Sequence, residues 1–504
     1  MAKTSLKNLA RAIGRAIGRV VLDKRSAAPL ALAKNILVIR WDGKLGDAVV
    51  SSFFYEEAEK LGKVTVTVIT TPELALLHRR HFGVHRVLTT QPNPGLIELC
   101  RLRRQLGYID TVIHLVGRIR TRELLFLYFL KPHNVFSLDD DICRVNGKMR
   151  KATANLSFSQ KYAFVLRQLG VSEVDSRYRV PLSSAREGVT LTENVGQSIV
   201  FNPFASRADK SLGVEKATGL LRFIADRVAG CEISILYSPD TLDQAIAMER
   251  AAGRSNVRVA EGITTLFDAI AAVSGTMLVI SVDTSIMHIA DGLHKKLIAI
   301  CPQHGNQFNP WLPRPALFTR VVWSPQDLHR YSRTGKKDMD NFSDCEVLDS
   351  LEALISTNGS ADFLSLEGKI VSGMGVASRN LKLQLPLIAQ EFPEILVCHY
   401  GSINVEFPCA LNGIVADYRS PPLAWVPDRP GTEVFEFLRI GLTLPGYAHL
   451  IPAWLYIPQR SPHRKTPHIH EIIAPKLDLQ GANAFAIKID KRSIRTMAPV
   501  LTLK

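Results

Sequence analysis

The chain has 504 residues, more than one hydrophobic core usually organises, so two or three domains are expected. Its composition, 46% hydrophobic and 22% charged residues, is that of a globular protein, and its net charge of +15 favours acidic partners such as nucleic acid, anionic lipid or phosphorylated substrates. No apolar run reaches the ~18 residues of a membrane-spanning helix, and the seven scattered cysteines are typical of reduced thiols rather than of disulfides or a zinc site.

The N-terminal segment, residues 1–34, combines a basic amphipathic pattern with a linker. It lacks the sustained apolar centre and the cleavage site of a signal peptide. A basic amphipathic helix suits an anionic membrane surface, so the segment predicts a cytoplasmic protein that lies peripherally on the inner face of the membrane. A helix docked on the protein's own surface and a disordered basic tail are the alternatives. The pattern consists of the cations Lys3, Lys7, Arg11, Arg15 and Arg19 and the apolar residues Leu6, Leu9, Ile13, Ile17 and Val20.

A strand–loop–helix–strand pattern follows over residues 35–69. Strands are predicted at 35–40 and 64–69, with a helix that runs from Asp47 through Lys60. The loop before this helix contains glycines, which allow close approach to a ligand. It is neither a Walker loop nor a GxGxxG fingerprint, so nucleotide-cofactor enzymes of those types lose support. Asp47 is either a functional carboxylate or simply a capping residue.

The rest of the first α/β region is predicted to contain a strand at 111–116 and a helix at 160–170 that leads to a second domain. Between them, the run Asp139-Asp140-Asp141 resembles a metal-binding cluster. A solvated loop is the favoured interpretation of this run.

The second half repeats the alternation, with strands predicted at 198–201, 233–237, 277–280 and 297–300 and helices at 215–228 and 264–273. Ligands bind outside the carboxyl ends of such strands. Asp283 and Thr284 stand at one strand end, and His288 lies one helical turn beyond Thr284. Lys210, after another strand end, is placed for a phosphate. The alternatives are that Thr284 or Ser285 only caps a helix and that Lys210 is merely solvated.

Three segments in this order resemble the motifs of heptosyltransferase-type glycosyltransferases (family 9) over residues 35 to about 355: Arg40–Asp47, Asn202-Pro203…Ser206…Lys210, and Asp283-Thr284…Met287-His288…Ala290. The resemblance implies an α/β fold with two Rossmann-like domains (GT-B), an acceptor domain at 35–180 and a nucleotide-sugar donor domain at 181–356. It further implies inverting transfer of a sugar, typically heptose from ADP-heptose, to a lipid-linked acceptor of the lipopolysaccharide core or a related surface glycan. Leu212 departs from the family, which often has an aromatic residue there.

By the same resemblance, Asp47 is the base that deprotonates the acceptor hydroxyl. Two such domains facing each other across a cleft would bring Asp47 opposite Lys210. A departing diphosphate needs a cation or backbone donors, which Lys210 and a helix N-terminus can supply without a metal or other cofactor. The residues implied for donor binding are Gly46, Asn202, Ser206, Lys210, Asp283, Thr284 and His288.

After a polar break at 357–360 the βαβ rhythm stops, and short strands with many prolines predict a small β-barrel domain over 366–495. The segments 368–375, 399–407 and 470–477 resemble the CTP-dependent riboflavin kinases of archaea. Ser402, where threonine is usual, and Val376-Ala377, in place of a further glycine-rich step, are departures. The resemblance implies CTP and Mg²⁺ as cofactors, with nucleotide binding by Gly373, Gly375 and Glu471 and metal binding by Ser402 and Asn404.

Two hypotheses follow for the whole chain. One is a glycosyltransferase with a fused kinase-like domain. This second domain either phosphorylates a flavin, a sugar or a lipid-linked glycan, or it only binds its ligand. The other is a non-enzymatic binding or scaffold protein of surface-glycan assembly, built on degenerate copies of these folds. The intact Asp47, Lys210, Asp283 and His288 favour the enzyme for the first part of the chain. Nucleic acid is not an expected partner, because aromatic residues are not interleaved with the cations.

Overall fold

The computed structural model forms two compact units, residues Met1–Val189 and Thr190–Lys504. Most of the predicted N-terminal helix and the predicted nucleotide-binding Gly375 lie outside the described residues, whereas residues 18–22 are helical. None of the helices in the described part of the chain is long and apolar enough to cross a membrane. The structure describes residues 16, 18–23, 29–181, 198–228, 230–305, 308–313, 318–355, 363–373, 377–390, 392–414, 416–426, 431–444, 450–461, 466, 468–477, 479, 481–490 and 493–499.

The first unit contains a six-stranded parallel sheet in the order β3-β2-β1-β4-β5-β6. Its four central strands are rich in Val and Ile and largely buried, because helices cover both sides of a parallel sheet. The strands are β1 (Asn35–Ile39), β2 (Thr65–Thr70), β3 (Arg86–Thr89), β4 (Thr111–Ile113), β5 (Asn134–Ser137) and β6 (Gly147–Lys148). The helices are α1 (Leu45–Val50), α2 (Phe53–Ala58), α3 (Pro72–Arg80), α4 (Leu96–Gln105), α5 (Thr121–Leu130) and α6 (Phe158–Leu169).

The second unit begins with another six-stranded parallel sheet, in the order β12-β11-β10-β7-β8-β9. Its strands are β7 (Ser198–Asn202), β8 (Glu232–Ile235), β9 (Val257–Val259), β10 (Leu278–Val282), β11 (Lys296–Gln303) and β12 (Thr319–Pro325). Its helices are α7 (Val214–Arg227), α8 (Leu242–Ala252), α9 (Leu266–Gly275), α10 (Ser285–Gly292), α11 (Leu328–Thr334) and α12 (Asp344–Ile355).

Both sheets have the strand order of a Rossmann-like fold, so the predicted pair of α/β domains is confirmed. In each sheet the order reverses next to the first strand, between β1 and β4 and between β7 and β10. Ligands bind at such a reversal, beyond the carboxyl ends of the strands. The loops that follow β1, β7 and β10 therefore lie where a ligand is expected to bind. The predicted domain limits stay predictions.

Two local predictions in the first unit are wrong. The helix expected from Asp47 through Lys60 is interrupted between α1 and α2, where the Ser51 hydroxyl donates to the Asp47 carbonyl at 3.0 Å and the Ser52 hydroxyl to the Val49 carbonyl at 2.6 Å. Such local side-chain bonds compete with helix formation. The acidic run is not fully solvated either, since Asp139 is completely buried and accepts a hydrogen bond from the Ile119 N–H at 2.7 Å.

Beyond α12 the chain forms the predicted β-barrel, which an additional β17–β20 pairing closes with six strands. The expectation of short strands is wrong for β13 and β17, which have nine residues each. The strands are β13 (Phe363–Val371), β14 (Ile403–Glu406), β15 (Cys409–Ile414), β16 (Tyr418–Arg419), β17 (Phe435–Thr443), β18 (Ile451–Pro458), β19 (Ile469–Ile473), β20 (Ala484–Asp490) and β21 (Ile494–Pro499).

Helix α13 (Ala377–Ile388) is a further element of the barrel domain that the sequence did not predict. Its residues Leu381 and Leu385 pack against Trp454 on one face of β18. The alternate residue Leu455 lies in a separate core with the other barrel strands. Both faces of β18 are thus buried, one inside the barrel and one under α13.

Candidate functional site

Asp47 lies in the first turn of α1, directly after β1 at the carboxyl edge of the first sheet. The loop before it passes through Gly43, whose φ of +65° favours glycine. A Cβ on Gly43 would also lie 3.2 Å from Thr71 Cγ2. The N-cap residue of α1 is Lys44, so Asp47 is not itself the N-cap, although a carboxylate in the first turn still complements the helix dipole. Gly46, which is half-buried, precedes Asp47 within α1.

The carboxylate of Asp47 is fixed by a buried arginine at the end of β1. Arg40 Nη2 lies 2.9 Å from Asp47 Oδ2 and 3.4 Å from Asp42 Oδ2. Arg40 Nη1 donates to the Tyr162 hydroxyl of α6 at 3.5 Å. Because Arg40 is buried, these contacts hold it in one place, and it in turn orients Asp47. Sequence reasoning included Arg40 in a motif but gave it no role.

The surroundings of Asp47 suit a proton acceptor. Burial raises the pKa of its carboxyl above the ordinary aspartate value, although the Arg40 guanidinium opposes this shift. A carboxylate with a raised pKa binds a proton more readily than an exposed one. Asp47 nevertheless keeps 15% of its side chain exposed, so a substrate hydroxyl has access to it.

In the second unit, the loop after β7 is a closed turn that presents a lysine. The Leu212 N–H donates to the Pro203 carbonyl at 2.9 Å, and the Ala205 N–H donates to the Ser211 hydroxyl at 2.9 Å. The apolar side chain of Leu212 is buried in the domain core, which anchors the end of the loop. Between these ties, a short 3₁₀ helix ends at Lys210, and Ser206 lies exposed.

Lys210 and Asp283 meet at the carboxyl edge of the second sheet. Lys210 Nζ lies 2.9 Å from Asp283 Oδ2, although the two residues follow different strands, β7 and β10. These strands are neighbours at the reversal of the strand order. The structure therefore brings together two of the residues that the sequence singled out.

A second lysine, Lys337, joins this pair and was missed by sequence reasoning. Its Nζ lies 3.9 Å from Asp283 Oδ2, and its backbone N–H donates to Asp209 Oδ2 at 3.0 Å. Burial, and to a lesser extent the nearby charge of Lys210, lower the pKa of Lys337. Lys337 follows no predicted strand, so the sequence carried no signal for it.

His304 is another neighbour that sequence reasoning missed. It directly follows β11, and its ring lies 4.4 Å from the ring of Tyr331. Burial and the nearby Lys337 lower the pKa of this imidazole. The rule that ligands bind beyond the carboxyl ends of parallel strands could have identified His304, since a strand was predicted just before it.

The remaining predicted donor residues lie around this cluster with different contacts. Thr284 is the N-cap of α10, and its hydroxyl accepts a hydrogen bond from the Ile286 N–H at 3.1 Å, so it does cap the helix. His288 is buried on the same helix, 6.4 Å from the ring of Trp311. The Asn202 amide is also buried and donates to Ser281 Oγ at 2.9 Å, which ties β7 to β10. Asn202 thereby shapes the loop that carries Lys210.

The charged side chains at the carboxyl edge of the second sheet can bind an anion. Two lysines share a single buried carboxylate, which leaves an excess of one positive charge if all three groups are ionised. Lys210 is a quarter exposed, so its ammonium can turn from Asp283 towards an incoming phosphate. A cation held over the ends of parallel strands is the arrangement that stabilises a departing diphosphate.

The barrel also gathers the residues predicted for its site. Glu471 lies across from Asn404 on neighbouring strands, and its carboxylate oxygens accept hydrogen bonds from Ser402 Oγ at 3.3 Å and from Ser461 Oγ at 2.9 Å. A Cβ on Gly373 would lie 2.0 Å from Asn404 Nδ2, so a larger residue there would displace the Asn404 side chain. Ser461 was not predicted, because it lies beyond the segments that carry the resemblance.

The Ser402 hydroxyl and the Asn404 amide oxygen are ligands of the type that Mg²⁺ prefers, and in this respect the two residues fit the implied metal. Among the residues that the structure describes, no group of three or more His, Cys, Asp or Glu side chains could hold a metal ion.

Comparison with known families supports the first resemblance. Residues 100–337 match the family described as glycosyltransferase family 9 (heptosyltransferase). The matched region contains Lys210, Asp283 and His288, whereas Asp47 lies before it. The comparison with curated proteins gave no match.

Solved structures with a similar fold include a family 9 glycosyl transferase from Veillonella parvula DSM 2008, with a TM-score of 0.53 at 17% identity over 65% of this chain and 99% of that chain. The E. coli ADP-heptose lps heptosyltransferase II gives a TM-score of 0.48 at 17% identity over 64% and 98% of the two chains. The E. coli heptosyltransferase WaaC with ADP gives 0.46 at 17% identity over 63% and 99%. Residues 100–337 are thus similar to glycosyltransferase family 9, and the chain combines a GT-B-like fold with a C-terminal six-stranded barrel.

Proposed function

We propose that this protein is an inverting glycosyltransferase that transfers heptose from ADP-heptose to a lipid-linked acceptor of the lipopolysaccharide core or a related surface glycan. The observation that carries the proposal is the convergence of Lys210 and Lys337 on Asp283 at the carboxyl edge of the second sheet. This edge offers mobile positive charge to a nucleoside diphosphate. The family 9 match over the same residues supports a heptose donor.

In the proposed reaction, the acceptor oxygen bonds to the anomeric carbon of the sugar as the bond to the diphosphate breaks. Asp47 takes the proton of the acceptor hydroxyl. Its buried position, raised pKa and fixed orientation against Arg40 support this assignment. Lys210 and Lys337 meet the negative charge that develops on the leaving diphosphate. Ser206, Thr284 and His288 line the donor site in this proposal, and Gly46 allows close approach beside Asp47.

The proposal places the protein at the inner face of the cytoplasmic membrane, where a lipid-linked acceptor would be found. The basic N-terminal pattern and the net charge of +15 support this location.

A screen of sugar nucleotides tests the transferase proposal directly. We expect ADP-heptose to raise the thermal unfolding midpoint of the full chain, since a ligand at 100 times its Kd stabilises the folded state by about 2.7 kcal/mol. UDP- and GDP-sugars at equal concentration serve as controls for the nucleotide and should shift it less. Calorimetry then gives the affinity. If no sugar nucleotide binds, the non-enzymatic scaffold becomes the better account of both α/β domains.

The barrel favours a second candidate activity, CTP-dependent phosphoryl transfer to a hydroxyl group. The observation behind it is that Gly373, Ser402, Asn404 and Glu471 lie together although the sequence separates them. Ser402 and Asn404 would hold Mg²⁺, which would neutralise charge on the nucleotide phosphates. Gly373 would allow the backbone to approach those phosphates, and Glu471 would lie beside the accepting hydroxyl.

The test of the second candidate is CTP binding to the full chain in the presence and absence of Mg²⁺. We expect Mg²⁺-dependent binding that Asn404→Ala abolishes, because the amide oxygen is a metal ligand in this proposal. Asn412→Ala is the matched control, since Asn412 is exposed on β15 of the same domain and should bind CTP like the unaltered chain. Absence of CTP binding by the folded chain would leave the barrel as an interaction or acceptor-docking module.

A further inference from the structure

Helix α5 of the first unit carries apolar side chains on every side. Residues 124–130 read Leu-Leu-Phe-Leu-Tyr-Phe-Leu without a polar group other than the tyrosine hydroxyl. Leu124 and Leu127 are in the core, whereas Tyr128 and Phe129 are exposed, Phe129 to 50%. A helix at the surface of a globular protein normally turns a polar face to water. The outward face of α5 departs from that pattern.

The neighbouring helix α4 extends this apolar surface. Its first turn exposes Leu96 and Ile97, the latter to 90%. Arg103 Nε on α4 donates to the Phe129 carbonyl at 3.2 Å, which joins the two helices side by side. Each helix has ten residues, about 15 Å in length. Together they form a face rather than an isolated exposed residue.

The N-terminal helical segment, residues 18–22, lies along the same face. A Cβ on Gly18 would be 2.7 Å from Thr121 Cγ2 at the start of α5. At the other end of the segment, Arg144 Nε donates to the Leu22 carbonyl at 2.6 Å, and Arg144 also lies over the ring of Tyr128 at 5.0 Å. Within the segment, Val20 is 72% exposed.

The apolar residues of this face are interspersed with cations that carry an excess of positive charge. Glu98 and Glu123 are the acidic residues of α4 and α5, two helices that are described in full. Glu98 pairs with Arg101 at 2.6 Å, and Glu123 is buried and accepts a hydrogen bond from the Arg120 N–H at 2.8 Å. The cations on and beside the helices are Arg19, Arg101, Arg103, Arg104, Arg122, Lys131 and Arg144.

We propose that the outward faces of α4, α5 and residues 18–22 dock on an anionic lipid bilayer. This inference rests on the proposed function for the membrane location of the protein, and it names the surface that makes the contact. Lipid phosphates complement the arginines, and the interface accepts the aliphatic and aromatic side chains between them. A second copy of the same face would oppose arginine to arginine.

Docking in this way would bring the acceptor to the base. Helices α4 and α5 follow β3 and β4, so both begin at the carboxyl edge of the first sheet. Asp47 follows β1 at the same edge. Insertion of Leu96 and Ile97 at the start of α4 would therefore hold this edge against the bilayer, where a lipid-linked acceptor is anchored.

The test is co-sedimentation of the full chain with vesicles of phosphatidylethanolamine and phosphatidylglycerol. We expect Ile97→Ser with Phe129→Ser to weaken partitioning roughly tenfold or more, because two large apolar side chains leave the interface. The control pair Phe223→Ser with Leu328→Ser alters exposed apolar residues of the second unit and should bind like the unaltered chain. Arg101→Gln with Arg104→Gln should weaken binding to these vesicles and reduce the preference of the chain for them over phosphatidylcholine vesicles.

Several outcomes would overturn the proposal. The first is that the unaltered chain does not bind the vesicles. The second is that the Ile97/Phe129 variant binds them within twofold of the unaltered chain. The third is that this variant changes from dimer to monomer in ultracentrifugation while its vesicle binding is unchanged. Removal of residues 1–15 measures the separate contribution of the N-terminus and must spare Asp23, whose carboxylate accepts hydrogen bonds from the Cys143 and Arg144 N–H groups at 2.8 and 2.9 Å. The thermal unfolding midpoint of each variant reports its folding. ADP-heptose binding is measured on the unaltered chain, and its absence there would refute the transferase but not the membrane contact.

Discussion

Replacement of Asp47 by asparagine is expected to lower the rate of sugar transfer by about 10²–10⁴-fold while donor affinity changes little. The amide cannot take the proton of the acceptor hydroxyl, whereas the donor contacts assigned to the second unit remain. The measurement is the initial rate of transfer from ADP-heptose to a lipopolysaccharide-core acceptor, together with the Kd of the donor by calorimetry.

Asp42→Asn is the matched control for this substitution. Asp42 contacts the same Arg40, at 3.4 Å, but its side chain is 35% exposed and is not assigned a role in proton transfer. We expect this variant to keep most of its transfer rate and to unfold at a similar temperature. Equal losses in the two variants would indicate that the Arg40 cluster only supports the fold, and Asp47 would lose its role as the base.

The pH dependence of sugar transfer should reflect the protonation of the Asp47 carboxylate. Asp47 must be deprotonated to act as a base, and burial raises its pKa above the ordinary value. The value of kcat/KM should therefore fall as the pH falls through this raised pKa, at a higher pH than an exposed aspartate would give. In Asp47→Asn the residual activity should lack this acidic limb.

Replacement of Lys210 by alanine is expected to weaken donor binding by roughly 10–100-fold, because a hydrogen bond to a charged group contributes about 1.5–3 kcal/mol. Among the described residues, the ion pair that then remains to the buried Asp283 carboxylate is the more distant one with Lys337, at 3.9 Å, so the edge becomes less attractive to a diphosphate. Calorimetry with ADP and with ADP-heptose measures the change.

Lys336→Ala removes the same charge from an exposed neighbouring position and serves as the control. If both substitutions weaken binding equally, only the net charge matters and Lys210 has no specific contact with the diphosphate. Unchanged affinity in Lys210→Ala would place the donor phosphates elsewhere. A loss confined to Lys210→Ala would support the cluster around Asp283 as the donor site.

The sequence by itself determined the two α/β domains and the barrel. Buried strands such as 35–40 and 198–201 are continuous apolar runs, and a run of neighbouring residues is a local signal that survives without any tertiary information. The residues at the strand ends, among them Asp47, Lys210 and Asp283, were identifiable for the same reason, because the carboxyl ends of parallel strands share one edge.

Only the tertiary structure decided which side chains meet at that edge. Lys337 reaches Asp283 because its loop is tied to Asp209, 128 residues earlier, and no local pattern encodes such a contact. The burial of Asp139 likewise depends on Ile119, twenty residues away, rather than on the acidic run itself.

The same distinction applies to helix α5. The apolar sequence of residues 124–130, taken alone, is typical of a helix in a protein core. It does not indicate how many neighbouring elements will cover the helix. Its inner side packs on the sheet, and the outer side, with Phe129, is left exposed. Burial depends on the packed layers, which are set by strand order and by the helices that cross above them, so the exposed face of α5 was decided by the fold.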